Sequence, residues 1–309
     1  MEAAIRAVPA SRYLLAVSGG RDSMVLMDAW RRWRTDAAGA ATFDHGTGPH
    51  ARQAAQLVER EGARRGLPVK VGRRGADGAM NEAAWRAARW IFLRESAELA
   101  RATVATAHTI DDQLETVVMR ALRDGPHEGT RGLAAMFAPD RRSVVARPFL
   151  EVSRADIARY ARVRKIQYLE DPTNTDFTHL RNRVRGDLLP ALERAAPGFG
   201  AAMLRLSRDA ARWRGAVDEI VDRLGPKLLP GGGLVIPANP LRSFNSRSLA
   251  ILWPAVAERA GIRLDRRGMA RLVAFTRDGR PAGRIQLSGG GEARRTEATF
   301  VLRAQDVRG

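Results

Sequence analysis

A glycine-rich turn between an apolar strand and a helix constrains the fold of this chain most strongly. Residues Tyr13 to Val17 (YLLAV) form a short apolar run that is typical of a buried strand. The turn Ser18 to Ser23 (SGGRDS) follows, and the residues up to Arg34 have apolar side chains at helical spacing. Such a unit directs the N–H groups of the turn and of the helix N-terminus to one place, which suits an anion.

The side chains of the turn fit the phosphates of ATP. The candidate ATP-binding residues here are Ser18, Gly19, Gly20, Arg21, Asp22 and Ser23. The two hydroxyls can donate to phosphate oxygens, and the glycines allow the backbone to approach them. Asp22 does not suit phosphate, so we expect it to hold a Mg²⁺ ion that bridges phosphates, or else to cap the helix. The turn is not a Walker A loop, because no Gly-Lys-Ser/Thr follows.

A second Ser-Gly-Gly, at residues 288–290, shows that the motif depends on its context. Gly291 and Glu292 follow it, and no helical pattern does. We therefore expect a hairpin turn there, pairing Arg284–Leu287 with Thr296–Arg303.

Strands and helices alternate through the first part of the chain, which predicts an α/β fold with a doubly wound, mostly parallel sheet. The boundary of this domain is expected near residue 205, after a shift of composition at residues 196–198. Residues 206–309 then form a smaller, mixed α/β domain. Predicted strands cover residues 13–17, 40–43, 69–71, 103–107 and 144–146, and predicted helices cover residues 23–34, 51–65, 81–101, 111–123, 153–164, 246–260 and 265–276.

Two strand ends carry further candidate residues. His108 ends one strand, and the helix after it begins with Asp112 and Glu115 on one face (TAHTIDDQLET). These carboxylates are candidates for orienting or deprotonating an amine or for holding a metal; the alternative is that Asp112 caps the helix with Thr109. His45, in Asp44-His45-Gly46 at the other strand end, lies where we expect a nucleotide base to bind.

Arginines form two further groups. Arg86 and Arg89 share a helix face, with Glu82 one turn before Arg86, so an ordinary surface ion pair is the alternative to a catalytic role. The turn segment 171–176 (DPTNTD) leads into a basic run that presents guanidiniums to phosphate or is simply a solvated helix start. The candidates in that run are Arg181, Arg183 and Arg185.

Composition limits the chemistry. The net charge is +18, from 52 basic and 34 acidic residues, which favours a nucleic-acid partner, although codon bias also explains the choice of arginine over lysine. The 309 residues include no cysteine, which excludes disulfides, iron–sulfur clusters and persulfide chemistry.

No apolar run approaches the roughly 18 residues of a membrane span, and the N-terminus resembles no signal peptide. We expect a cytoplasmic protein without membrane contact.

The turn Ser18–Ser23 resembles the PP-loop of N-type ATP pyrophosphatases, which cleave ATP between the α- and β-phosphates and transfer AMP to the substrate. Together with TAHTIDDQLET, the Glu82–Arg86–Arg89 helix and DPTNTD…RNRVR, it resembles the tRNA(Ile)-lysidine synthases, over about residues 13–190.

That resemblance implies an ATP-dependent C–N ligase acting on the wobble cytidine of tRNA(Ile) with a CAU anticodon. ATP would adenylate the C2 carbonyl oxygen, and free L-lysine would displace AMP through its ε-amine. Residues 1–205 would be catalytic and residues 206–309 would contact tRNA or stabilise the first domain. Asp22 would bind Mg²⁺, Asp112 and Glu115 would receive the ammonium, and Arg86 or Arg89 would stabilise developing charge. The oligomeric state stays open, with a homodimer as one option.

Some positions depart from the pattern of the lysidine synthase family. They are Thr47-Gly48 after the strand end, Trp90, His179 and the loop 124–142.

Three rival functions remain. A PP-loop tRNA thiolase typically needs cysteines, and this sequence has none. A PP-loop amide synthetase or purine-nucleotide synthetase would not explain the basic run RNRVR or the net charge of +18. A nucleic-acid-binding protein with a vestigial ATP site would not be expected to keep Asp22 and Glu115.

Overall fold

The computed structural model describes residues 1–46, 48–73, 82–124, 133–137, 145–170, 180–230, 232–287 and 290–304. The chain divides into two compact units. The first comprises Met1–Met119 and Ala135–Arg205, and the second comprises Arg120–Ala134 and Leu206–Gly309. Within the described stretches, no helix has the length and apolarity that crossing a bilayer requires.

A parallel sheet forms the centre of the first unit. Its strands are β1 (Tyr13–Ala16), β2 (Ala37–Asp44), β3 (Val69–Arg73), β4 (Thr103–Ala105) and β5 (Val145–Ala146). They lie in the order β3-β2-β1-β4-β5, and all neighbours pair in parallel. The chain winds outwards from β1 in both directions, so the strand order reverses between β1 and β4. Sheets of this kind bind ligands at that point, outside the carboxyl ends of the strands.

Helices cover both faces of this sheet, because successive residues of a strand point to opposite faces. Leu14 belongs to the same buried cluster as Leu93, whereas Leu15 packs in the cluster of Met24. The predicted doubly wound fold is therefore confirmed. The helices that precede the last part of the chain are α1 (Glu2–Arg6), α2 (Arg21–Trp33), α3 (Pro49–Arg64), α4 (Glu82–Leu99), α5 (Ile110–Asp124), α6 (Arg154–Arg164), α7 (Leu180–Arg183), a π-helix (Val184–Leu188) and α8 (Leu189–Ala195). Most residues of α9 (Phe199–Arg223) belong to the second unit.

The second unit contains a separate antiparallel sheet with helices, which confirms the predicted smaller, mixed α/β domain. Its strands lie in the order β6-β7-β10-β9-β8. Trp253, Phe275 and Phe300 are buried in its core, with T-shaped ring pairs at 5.4 and 5.9 Å. The elements are β6 (Lys227–Leu228), β7 (Leu234–Pro237), α10 (Ala238–Arg242), α11 (Ser246–Arg259), α12 (Arg266–Asp278), β8 (Arg284–Gln286), β9 (Gly291–Arg295) and β10 (Thr299–Ala304).

The predicted pairing of Arg284–Leu287 with Thr296–Arg303 is wrong. An unpredicted strand, β9, lies between them: it pairs with β8 on one side and with β10 on the other. Its sequence, GEARR, looks too polar for a central strand. Arg295 is nevertheless buried, because its guanidinium donates to the carbonyls of Phe275 and Thr276 near the end of α12. The hairpin turn predicted at the second Ser-Gly-Gly includes residues 288 and 289, which lie outside the described residues.

Candidate active site

The turn after β1 is held by its own serines. The backbone N–H of Ser18 donates to Ser23 Oγ at 3.1 Å, and that hydroxyl donates to the carbonyl of Gly20 at 2.8 Å. Gly20 is the N-cap of α2, which begins at Arg21. The turn therefore places the N-terminus of a 13-residue helix at the carboxyl end of the central strand, where its dipole and free N–H groups attract an anion.

Gly19 is the one position of this turn that requires glycine. Its φ is +85°, and a Cβ atom there would lie 3.0 Å from both the Cβ and the carbonyl oxygen of Ala54. The carbonyl of Gly19 accepts a hydrogen bond from Leu169 N at 3.0 Å, and the ring Nε2 of His50 lies 2.9 Å from the carbonyl of Glu170. Contacts with α3 and with residues 169 and 170 thus hold the turn in place.

Asp22 occupies the first turn of α2. Burial raises its pKa, while the charge and the hydrogen bond of Arg21 lower it. Within the described residues there is no group of three or more His, Cys, Asp or Glu side chains that could hold a metal ion. Magnesium usually takes one or two protein carboxylates and completes its shell with phosphate oxygens and water. Asp22 therefore fits a magnesium ion that arrives with phosphates.

Two carboxylates and three guanidiniums form one cluster at the start of α5. Arg154 donates to Asp112 Oδ1 and to Glu115 Oε1, both at 2.5 Å. Arg181 donates to Asp112 Oδ1 and to Glu115 Oε2, both at 2.7 Å. Arg185 donates to Glu115 Oε1 at 2.7 Å. The cluster thus contains three positive charges and two negative ones.

Asp112 also caps the helix, as the alternative interpretation of the sequence proposed. Its Oδ2 accepts from the N–H of Thr109 at 2.8 Å and from the Thr109 hydroxyl at 2.9 Å. The N–H of Asp112 donates back to Thr109 Oγ1 at 3.3 Å. One oxygen of this carboxylate therefore serves the helix end and the other serves the ion-pair cluster, so capping and charge pairing do not exclude each other.

Both carboxylates of the cluster are ionised at neutral pH. Burial alone would raise the pKa of Glu115, but hydrogen bonds from Arg154 and Arg185 outweigh it and lower that pKa to about 2. Burial likewise opposes ionisation of Asp112, yet the charges of Arg154 and Arg181 lower its pKa. Carboxylates with such low pKa values bind cations well and accept protons poorly at pH 7.

Arg154 is the main site residue that the sequence patterns did not reveal. Its backbone N–H donates to Asp111 Oδ2 at 2.8 Å, which ties the start of α6 to α5. Ser153 is the N-cap of α6, since its Oγ accepts from Asp156 N at 3.1 Å. The predicted helix 153–164 placed Arg154 near a helix start, but nothing local to it indicated its carboxylate partners.

His108 is half-buried and lies near several charged groups. Burial lowers its pKa to about 4, the charge of Asp112 raises it, and the charges of Arg147, Arg181 and Arg86 lower it further. Its Nδ1 lies 2.8 Å from the hydroxyl of Thr106. The ring is therefore neutral at pH 7. The charges of Arg154 and Asp112 also act on Asp22, so the PP-loop turn, His108 and the cluster belong to one electrostatic environment.

The remaining predicted residues are Arg86, Arg89, His45 and Arg183. Arg86 is exposed and Arg89 is half-buried, and burial and the charge of Arg86 lower the pKa of Arg89. The Nε of Arg89 has no hydrogen-bond partner in the described part of the chain. The ring of His45 lies 6.4 Å from that of Trp85, its neighbour on α4. Arg183 is exposed and takes no part in the carboxylate cluster.

Several predicted features lie outside the described residues. They are the segment 171–176, Thr47, His179, the side chain of Glu82 and all of the loop 124–142 apart from residue 124 and residues 133–137.

Comparison with known proteins identifies the family. A family model described as a PP-loop domain matches residues 1–192. A tRNA(Ile)-lysidine synthase from a Bradyrhizobium strain is 42% identical, over 67% of this chain and 59% of its own length. Its counterpart from Bradyrhizobium diazoefficiens is 37% identical, over 81% of this chain and 70% of its own length. The chain belongs to the tRNA(Ile)-lysidine synthase family.

The chain spans only part of the length of these curated relatives. A Thermus thermophilus tRNA(Ile)-lysidine synthase is 32% identical over 97% of this chain, yet the match covers only 58% of that protein. Among solved structures, a U34-tRNA thiolase from Methanococcus maripaludis has a TM-score of 0.54 at 15% identity, covering 69% of this chain and 76% of that one. That likeness supports the fold alone.

The close contact at Gly19 gives a first prediction. Gly19→Ala should weaken ATP binding by at least about tenfold, because the methyl group adds crowding against Ala54 to the roughly 1–2 kcal/mol cost of a positive φ. Gly66→Ala is the matched control: its φ is +61° and nothing lies within 4 Å of the added Cβ. Calorimetric titration with ATP measures both, and equal affinities for the two variants would contradict this role of the turn.

The low pKa of Glu115 predicts a pH dependence of stability. Since the folded-state pKa of about 2 lies below the ordinary 4.5, ionised Glu115 stabilises the fold above pH 4.5, and this contribution is lost as the pH falls towards 2. At about 1.4 kcal/mol per pKa unit, the contribution is about 3 kcal/mol. Urea unfolding of wild type and Glu115→Gln should therefore differ most at pH 7, and the difference should shrink below pH 4.5. A constant difference across this range would show that the pKa is not lowered.

Proposed function

We propose that this chain is an ATP-dependent C–N ligase that joins free L-lysine to the wobble cytidine of tRNA(Ile). The observation that carries the proposal is a phosphate-binding turn and a carboxylate–guanidinium cluster within electrostatic reach of each other. The first suits the anionic ATP and the second suits a cationic amine. Membership of the lysidine synthase family supports the same assignment.

The reaction has two steps. In the first, the C2 carbonyl oxygen of cytosine attacks the α-phosphorus of ATP, the α–β bond breaks and pyrophosphate leaves. In the second, the neutral ε-amine of lysine attacks C2 and loses a proton, and the C2–O bond breaks so that AMP leaves with the oxygen. Adenylation is needed because a carbonyl oxygen is a poor leaving group until it carries a phosphoryl substituent.

The residues divide between the two steps. The turn Ser18–Ser23 and the N-terminus of α2 hold the phosphates and the departing pyrophosphate. Asp22 would hold Mg²⁺ together with the phosphates, and the ion would neutralise part of the phosphate charge. Arg86 and Arg89 stabilise negative charge as the adenylate forms and breaks down. His45 and His108 line the nucleotide site.

Asp112 and Glu115 bind the lysine ammonium. We assign them binding and orientation but no role as the base, because the pKa of Glu115, about 2, leaves it unable to take a proton from an amine near pH 7. Arg181, Arg183 and Arg185 contact phosphates of ATP or tRNA.

The tRNA partner carries a CAU anticodon, and we place the enzyme in the cytoplasm with its substrates. The net charge of +18 suits a polyanion of this size. Residues 1–205 form the catalytic part and residues 206–309 contact the tRNA. A thiolase is disfavoured by the absence of cysteine from the sequence.

Release of labelled AMP tests this function. With α-labelled ATP, AMP should form only when both lysine and unmodified tRNA(Ile) are present. Asp22→Ala should lower the rate by at least about a hundredfold while tRNA binding persists, because the change removes the proposed magnesium carboxylate and leaves the basic surface intact. AMP formation that does not depend on lysine would contradict the proposal.

A further inference from the structure

The Asp112–Glu115 pair has no acceptor position left for an incoming amine. An ionised carboxylate offers about four lone-pair positions. On Asp112, Thr109 fills two of them, and Arg154 and Arg181 fill the others. On Glu115, Oε1 accepts from Arg154 and Arg185, and Oε2 accepts from Arg181 and, at 3.3 Å, from Arg185. An ammonium group can reach either carboxylate only by replacing a guanidinium.

Charge balance leads to the same requirement. Three guanidiniums already face the two carboxylates, and Asp111 adds a negative charge beside Arg154. Adding an ammonium to the intact cluster would bring a further positive charge to Glu115, whose side chain is 1% exposed, with no free carboxylate oxygen to pair with it, and unpaired buried charge is costly. Exchange of one guanidinium for the ammonium leaves the net charge of the cluster unchanged.

The three arginines differ in how firmly they are held. Arg154 is 19% exposed, and its own backbone N–H is bound to Asp111. Arg181 and Arg185 are 35% and 37% exposed. These two belong to the four residues of α7 and the five-residue π-helix after it, in which Val184 is the only buried side chain. π-helical turns are rare and are frequent at functional sites.

We infer that Arg181 and Arg185 occupy, in the free enzyme, the positions that the substrate ammonium takes on Asp112 and Glu115, with Arg154 as the fixed counterion. The inference rests on the proposed function and adds to it the order in which the two substrates bind. A displaced guanidinium needs a new anionic partner, and the phosphates of ATP or tRNA supply one. Phosphate binding therefore draws the arginines away and opens the amine site, so that lysine binds after the nucleotide.

Lysine binding without catalysis tests this exchange. Lysine is titrated calorimetrically into wild type, Arg185→Gln and Arg194→Gln, each with and without a non-hydrolysable ATP analogue. Without nucleotide, Arg185→Gln should bind lysine at least about tenfold more tightly than wild type, since a site freed of its competing occupant regains its intrinsic affinity. Arg194→Gln, which removes the same charge from an exposed position on α8, should match wild type. The analogue should tighten lysine binding to wild type and have much less effect on Arg185→Gln.

Norleucine, which lacks the ε-ammonium of lysine, should not gain affinity in Arg185→Gln. Circular dichroism verifies the fold of each variant, and Arg181→Gln gives a second test of the same exchange. Equal or weaker lysine binding by folded Arg185→Gln would overturn the inference while leaving the proposed function in place. Absence of lysine binding to every variant in both conditions would overturn both.

Discussion

A carboxylate buried as deeply as Glu115 is stable only if cations compensate it, and the arrangement of the site follows from that requirement. The three guanidiniums come from the start of α6, from α7 and from the π-helix, so one side chain ties these elements to α5. Removing one partner of a buried ion pair typically costs about 3–5 kcal/mol, because it leaves the other charge unpaired. The cluster therefore fixes the helices that follow β4 and β5, close to the switch point of the sheet.

The two halves of the site have opposite charge preferences. The turn after β1 offers N–H groups and a helix dipole, which attract phosphate, whereas the pair Asp112 and Glu115 attracts a cation. In the proposed function, ATP and lysine therefore bind by different physical means at these two places. Because the guanidiniums of the cluster can also bind phosphate, the same arginines would couple the two halves.

Local patterns in the sequence sufficed for the doubly wound sheet and for the strand, turn and helix around Ser18–Ser23, since both depend on neighbouring residues. The cap between Thr109 and Asp112 was predictable for the same reason. The role of Arg154 was not, because its partners lie 39 and 42 residues away. Arg181 and Arg185 were predicted as phosphate contacts, and their pairing with carboxylates 66 and 70 residues away became visible only in the fold. Strand β9 was not predicted because Arg295, a charged residue, occupies one of its buried positions, so that buried and exposed positions do not alternate as apolar and polar residues.

Transfer of the C2 oxygen to AMP tests the central claim most directly. Unmodified tRNA(Ile) with ¹⁸O at C2 of the wobble cytidine is incubated with the enzyme, ATP and lysine, and the AMP is analysed by mass spectrometry. If ATP activates the carbonyl oxygen and the amine displaces it, the label must appear in the phosphate of AMP, one atom for each lysine incorporated. Label that stays in the tRNA or passes to water would contradict adenylation of that oxygen and the role assigned to this site.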